Sequence, residues 1–176
     1  GDEFDETSFE RVFRGYSSIN SGMGVGWRHN FADTLAFLSN GDARWTSAED
    51  GSHVFTNQGG GAFATPRGLF LRLTKIGDRY HIGDPEGVTI GFTTNGAMSS
   101  VSNVEGFVTH LGYSNGALTS VTDAEGRVIR LFYNASNMIR AVVDPGDRTN
   151  IFEYDAVSNL ISVSMGPDYV STYEYD

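Results

Sequence analysis

Asp123-Ala124-Glu125-Gly126-Arg127-Val128-Ile129-Arg130-Leu131-Phe132-Tyr133-Asn134-Ala135-Ser136-Asn137-Met138-Ile139-Arg140-Ala141-Val142-Val143 is one period of a repeat that organises the second half of the chain. Leu131 and Tyr133 stand two residues apart, the spacing that places side chains on one face of a strand. Ser136-Asn137 is a turn signal, and the short apolar segment Ile139-x-x-Val142 follows it. Asp123-Ala124-Glu125-Gly126 is a second turn, because Asp starts turns and Gly supplies a positive φ. Strand, turn, strand, turn in so few residues leaves no room for a helix.

The same columns recur on either side. Met98-x-x-Val101, Leu118-x-x-Val121, Ile139-x-x-Val142 and Leu160-x-x-Val163 share one spacing, and Tyr113, Tyr133, Tyr154 and Tyr175 fall between them in step. Leu111, Leu131, Phe152 and Tyr173 precede the tyrosines by two, giving every unit a doublet on one strand face. Arg127 and Arg148 also align. Asn115-Gly116 fits a type I′ hairpin turn, with Ser136-Asn137 and Ser158-Asn159 in the equivalent places. Asp144-Pro145-Gly146-Asp147 repeats the second turn, with Gly146 expected to take the positive φ. An earlier unit is shortened, as terminal repeats are: Asp84-Pro85-Glu86-Gly87 opens it, Phe92 lies in its strand and Asn95-Gly96 turns the chain.

Upstream the pattern loosens. Leu69, Leu71 and Leu73 alternate along a strand that turns at Gly77-Asp78 into Tyr80 and Ile82. Asn40-Gly41 and Asp50-Gly51 are turn signals flanking a segment with Phe37, Trp45 and Phe55, and Gln58-Gly59-Gly60-Gly61 reads as a flexible loop. Phenylalanines at 4, 9 and 13 are compatible with one short helical turn within residues 2–14. The fold class is therefore all-β: an irregular β region over 1–82, then an antiparallel hairpin repeat array over 83–176.

Composition agrees. Glycine accounts for 22 of 176 residues, well above the roughly 7% of average proteins, and 12 Phe, 8 Tyr and 2 Trp are interleaved with it. Glycine at turns with aromatics in strands is a β-rich composition, not a disordered one. A formal charge of −10 repels phosphate backbones, so no nucleic-acid partner is expected. Cysteine is absent, which excludes a disulfide framework, a thiol nucleophile and a thiolate metal site. No apolar run is long enough for a transmembrane helix, and the acidic start from Gly1 is unlike a signal peptide. Membrane insertion is not expected, and the chain reads as a piece of a longer protein.

Chemistry is sparse. His29, His53, His81 and His110 lack a two-histidine metal spacing, and His29, beside Trp27, reads as a packed or hydrogen-bonded histidine. No Gly-x-Ser-x-Gly elbow occurs, although a triad assembled from distant residues is invisible at this level. Gly22-Met23-Gly24-Val25-Gly26 and Gly59-Gly60-Gly61 have no helix after them to cradle a phosphate. Asp84, Asp123, Asp144 and Asp147 read as turn caps in preference to calcium ligands. The tyrosines at 113, 133, 154 and 175, stacked on adjacent strands, read as cross-strand packing, with a platform for sugars or an unfolded client as the sharper alternative. No catalytic or metal-binding residue, cofactor or enzyme activity is expected, and no ligand-binding residue is identified.

The period and columns resemble the YD repeat of Rhs proteins, named for a Tyr-Asp pair that occurs here at Tyr154-Asp155 and Tyr175-Asp176, with Tyr133-Asn134 and Tyr113-Ser114 as variants. Phe13-Arg14-Gly15-Tyr16-Ser17-Ser18 and Gly24-Val25-Gly26-Trp27-Arg28-His29-Asn30-Phe31 resemble the Gly-x-Gly-Trp segment that precedes the repeats in that family. The resemblance implies a β-sheet ribbon forming part of a shell that encloses a C-terminal toxin or effector. In related animal proteins such a ribbon supports adhesion, so a cell-surface carbohydrate-binding or adhesion module is the alternative. It also implies a secreted or cell-surface bacterial protein. The family's C-terminal self-cleavage core and toxin are not in these residues. A terminal strand with a free edge is expected to self-associate.

Overall fold

The computed structural model describes residues 7–15, 20–48, 51–166 and 168–175. Seventeen strands and no helix occur among them: β1 (Arg11–Phe13), β2 (Trp27–His29), β3 (Thr34–Phe37), β4 (Ala43–Ser47), β5 (Gly51–Gly59), β6 (Ala62–Ala64), β7 (Arg72–Ile76), β8 (Arg79–Gly83), β9 (Thr89–Phe92), β10 (Met98–Ser102), β11 (Val108–Ser114), β12 (Ala117–Thr122), β13 (Val128–Tyr133), β14 (Ile139–Val143), β15 (Thr149–Tyr154), β16 (Leu160–Met165) and β17 (Tyr169–Thr172). β1 and β2 form their own antiparallel pair, and β3 to β17 follow one another in chain order in a fifteen-stranded sheet. The described part of the expected helical turn is coil and then β1: pairing with β2 stabilises the extended form of Arg11–Phe13. Asp50 and Tyr16-Ser17-Ser18 lie outside the described residues.

Among the described residues, eight connections share one five-residue turn. In each, the first residue's N–H donates to the fifth residue's carbonyl and the fourth residue's N–H donates back to the first carbonyl, at 2.8–3.4 Å; the turns begin at Leu38, Asp84, Thr93, Asn103, Asp123, Asn134, Asp144 and Asp155. The fourth residue takes positive φ: Gly41, Gly87, Gly96, Gly106, Gly126, Asn137, Asp147 and Ser158. Gly146 is therefore not the left-handed residue of its turn; Asp147 is, at φ 60°. The pattern is set by position in the turn, and glycine occupies that position in only some repeats. Asn115 and Gly116, both at positive φ, make the tighter two-residue turn that type I′ geometry demands.

The Leu-x-x-Val spacing has a structural cause. Residues three apart on a regular strand point to opposite faces, yet Ile139, Val142, Leu160 and Val163 are all buried. Pairing passes from Phe132↔Ala141 to Tyr133↔Ile139, and from Glu153↔Ser162 to Tyr154↔Leu160, so Arg140 and Ile161 are bulged out. Met98 and Ser100 flank the same irregularity. One extra residue per strand returns both apolar columns to the core, where each such side chain contributes roughly 1.5–3 kcal/mol.

Two compact units result. Residues 31–111 form one, with Phe31, Leu35, Trp45, Phe55, Leu73, Ile82 and Phe92 in its core. Buried Asp33 organises its start, accepting Trp45 Nε1–H and the Ala48 N–H at 2.8 Å each. Here β3 meets the β9–β10 turn: Leu35 N–H donates to Gly96 O at 2.9 Å, and a Cβ on Gly96 would lie 1.7 Å from Leu35 O. The strand expected over Leu69–Leu73 begins only at Arg72, since the chain turns first, with Leu69 N–H on Pro66 O. Gly59-Gly60-Gly61 is the tip of the β5–β6 hairpin, not a loose loop. The other unit joins residues 1–30 with 112–176, so the front segment packs with the later repeats, a grouping by space where the sequence pattern divides the chain by order.

Candidate functional site: the tyrosine ladder and the front segment

The tyrosine columns occupy alternate strands. Tyr113, Tyr133 and Tyr154 lie on β11, β13 and β15, with a Leu-x-x-Val strand between each pair, because a repeat contains two strands. They are not stacked on adjacent strands as the sequence suggested. Tyr175 follows β17, outside a strand.

Each of the later three hydroxyls has the same task. Tyr133 Oη donates to Leu118 O at 2.8 Å, Tyr154 Oη to Ile139 O at 2.6 Å and Tyr175 Oη to Leu160 O at 2.6 Å. The acceptor is always the first residue of the preceding Leu-x-x-Val segment. At Ile139 and Leu160 that residue adjoins the bulge, where the ladder is interrupted, and the tyrosine supplies a donor to the carbonyl there. Burial raises the phenols of Tyr113 and Tyr133 to about 12, with Tyr133 adding to the shift at Tyr113; Tyr154 is raised by the same two causes. All remain protonated donors at ordinary pH. The ladder is a set of structural hydrogen bonds, with these hydroxyls already engaged.

The front segment adds to it. Phe13 packs on Trp27 with ring centroids 5.1 Å apart, and Trp27 meets Tyr173 edge-on at 4.8 Å. Trp27 Nε1–H donates to Tyr175 Oη at 2.8 Å, so Trp27, Tyr175 and Leu160 O form a chain of hydrogen bonds. Ile139 N–H donates to Gly22 O at 2.6 Å. A Cβ on Gly24 would come within 2.9 Å of Ser158 O, so glycine is what lets the segment lie against the turn. Sequence alone shows the Gly-x-Gly-Trp spacing but not the repeat on which it rests, since those partners are more than a hundred residues away.

His29 is packed, as expected. Its ring stacks on Phe9 at 5.2 Å, and Phe9 in turn meets Phe152 at 6.4 Å. Desolvation lowers its pKa to about 4, against a smaller raising effect of a backbone hydrogen bond with Ser21. Among the described residues Nδ1 has no hydrogen-bond partner. His53 stacks on Trp45 at 5.5 Å, and His81 and His110 lie on β8 and β11.

The turn aspartates act as caps. Asp84, Asp123 and Asp144 each accept backbone N–H groups of their own turn on Oδ1 at 2.7–3.1 Å, and Asp155 does the same. Asp147 does not cap; it is the left-handed residue described above. The aligned arginines complete the clip, with Arg127 Nε on Asp123 Oδ2 and Arg148 Nε on Asp144 Oδ2, both at 2.6 Å. Desolvation raises both carboxyls, but the hydrogen bonds and charge of the arginines outweigh it and hold them below the usual range. Among the described residues no group of three His, Cys, Asp or Glu gathers around a metal position, and no helix is long and apolar enough to cross a membrane.

A family model described as RHS Repeat matches residues 113–149, which run from Tyr113 through three of the five-residue turns and the β13–β14 bulge. No curated protein matches the chain.

Proposed function

We propose, from the match of residues 113–149 to the family model described as RHS Repeat, that this chain belongs to the Rhs/YD-repeat family and is a non-catalytic wall segment of a shell enclosing a C-terminal toxin or effector of its parent protein. The observation that carries the reading is the strand order: β3 to β17 are neighbours in sequence order without a crossover. A wall that grows by one hairpin per repeat is suited to enclosing a space, since adding repeats lengthens it without rearranging what precedes. The tyrosine–carbonyl bonds favour the same role, because they tie each repeat to the one before. Rhs-repeat proteins act outside the cell or at its surface, and we assign this chain to the same setting.

Limited proteolysis of the full gene product tests the proposal. With the repeats intact, the segment following them is expected to resist protease at concentrations that digest it when expressed alone. Phe152→Asp, which places a charge in the core of the repeat wall, is expected to expose it. Equal digestion of the enclosed and isolated segments would overturn the reading.

A further inference from the structure

Asn-Gly pairs stand at Asn40-Gly41, Asn95-Gly96 and Asn115-Gly116. Each pair carries the atoms for one reaction between neighbours. The glycine nitrogen can attack the amide carbon of the asparagine side chain, since a residue without a Cβ leaves its backbone open to close approach. All three glycines take positive φ, so residue type and glycine conformation do not tell the pairs apart. Their hydrogen bonds do.

Asn40 is held through both ends of its amide. Its Nδ2 donates to Asp42 Oδ2 at 2.8 Å, and its Oδ1 accepts the Asp42 N–H at 3.1 Å. The Gly41 N–H donates to Leu38 O at 2.9 Å, and the Asn57 side chain crowds the space beside Gly41. Asn95 is held likewise: its Oδ1 accepts from Thr93 Oγ1, the Gly96 N–H donates to Thr93 O at 3.0 Å, and Gly96 lies against the Leu35 carbonyl. Asn115 differs. Among the described residues neither its side chain nor the Gly116 N–H makes a hydrogen bond. Both residues are exposed, and nothing lies within 4 Å of a Cβ placed on Gly116. A bonded N–H has to leave its acceptor before its nitrogen can attack, and a bound amide has to turn away from its partners. Both costs fall on Asn40 and Asn95, and neither falls on Asn115.

We propose that the folded chain deamidates selectively at Asn115. The Gly116 nitrogen forms a bond to Asn115 Cγ and gives up its proton; the Cγ–Nδ2 bond breaks, and ammonia leaves with that proton. Water then opens the cyclic imide at either carbonyl. One opening gives aspartate in an unaltered backbone, which suits this turn as asparagine does. The other gives isoaspartate, with one extra methylene in the main chain of a two-residue turn whose geometry depends on its length. The β11–β12 hairpin is thus where the sheet ages, and either product adds a negative charge to a chain that carries −10. The site does not depend on the enclosing role proposed above.

Incubation of the full chain in mildly alkaline buffer, followed by peptide mass spectrometry with fragmentation, tests it; enzymatic methyl labelling of isoaspartate reads the second product. In the folded chain Asn115 is expected to convert at least about tenfold faster than Asn40 and Asn95, the effect of two hydrogen bonds that need not be broken. In concentrated urea, where those bonds are gone, the three are expected to convert at similar rates. Asn115→Gly, which meets the preference of the turn for glycine, is expected to lose most of the isoaspartate labelling. Conversion of Asn40 or Asn95 as fast as that of Asn115 in the folded chain, an Asn115 that converts in urea but stays intact when folded, or undiminished labelling of Asn115→Gly would each overturn the proposal.

Discussion

A tyrosine hydroxyl 2.6 Å from the Ile139 carbonyl fixes what residue 154 has to be. Phenylalanine would fill the same space but leave that carbonyl without its donor, and an unsatisfied buried acceptor costs about 1–3 kcal/mol. Tyr154→Phe is therefore expected to lower stability by that amount in urea unfolding followed by Trp27 fluorescence; an unchanged midpoint would show that the hydroxyl is dispensable. The opposite sign is expected at the turns. Ser158 and Asp147 hold φ of 69° and 60°, a conformation that disfavours a side chain and suits glycine. Ser158→Gly and Asp147→Gly should each raise stability by about 0.5–1 kcal/mol, readable as an increase in the same urea midpoint. Sequence columns do not reveal this strain, because Gly146 stands one position before the residue that needs glycine's freedom.

At the scale of the element, the hairpin unit was legible and its internal geometry was not. Period, turn chemistry and doublet faces all follow from side-chain type, whereas the bulge at Arg140 and Ile161 shows in the sequence only as a spacing of three where a strand allows two or four. Elements also determine the response to acid. β2 carries His29 into the core with its pKa lowered to about 4 from 6.5. The unfolded chain binds this proton first as pH falls, so the contribution of His29 is full above pH 6.5, declines between there and about 4, and levels off below; the loss is on the order of 3 kcal/mol. The lowered carboxyls of Asp123 and Asp144 withdraw their contribution only at lower pH, as they protonate below the ordinary carboxylate range. His29→Phe is expected to flatten the stability profile between pH 6.5 and 4 while sparing the decline that the carboxyls add beneath it. A His29→Phe profile identical in shape to that of the parent would assign the decline to other groups.

For the whole molecule, a sheet whose strands follow chain order has two ends. Among the described residues β17 pairs with β16 alone, and its residues are exposed, including Tyr169 and Val170. An exposed edge of this kind is a template for another strand. Sedimentation velocity is expected to show association rising with concentration, and Val170→Lys, which puts a charge on the edge, should suppress it. A monomer at every concentration would refute the expectation.

The amino-acid sequence by itself determined the class, the hairpin period and the turn caps, because these depend on contacts within about five residues or between neighbouring strands. It also showed that front glycines and a tryptophan precede the repeats. Only tertiary structure decided that tyrosines cap carbonyls of the preceding repeat and that Gly22 and Gly24 lie against residues 139 and 158. The front-segment contacts join residues more than a hundred apart, a separation with no periodic signal, and the tyrosine bonds, although each spans the same 15 residues, exist only once the strands have paired. Three-dimensional packing selects them, since a buried carbonyl or indole N–H must find a partner wherever the folded chain provides one.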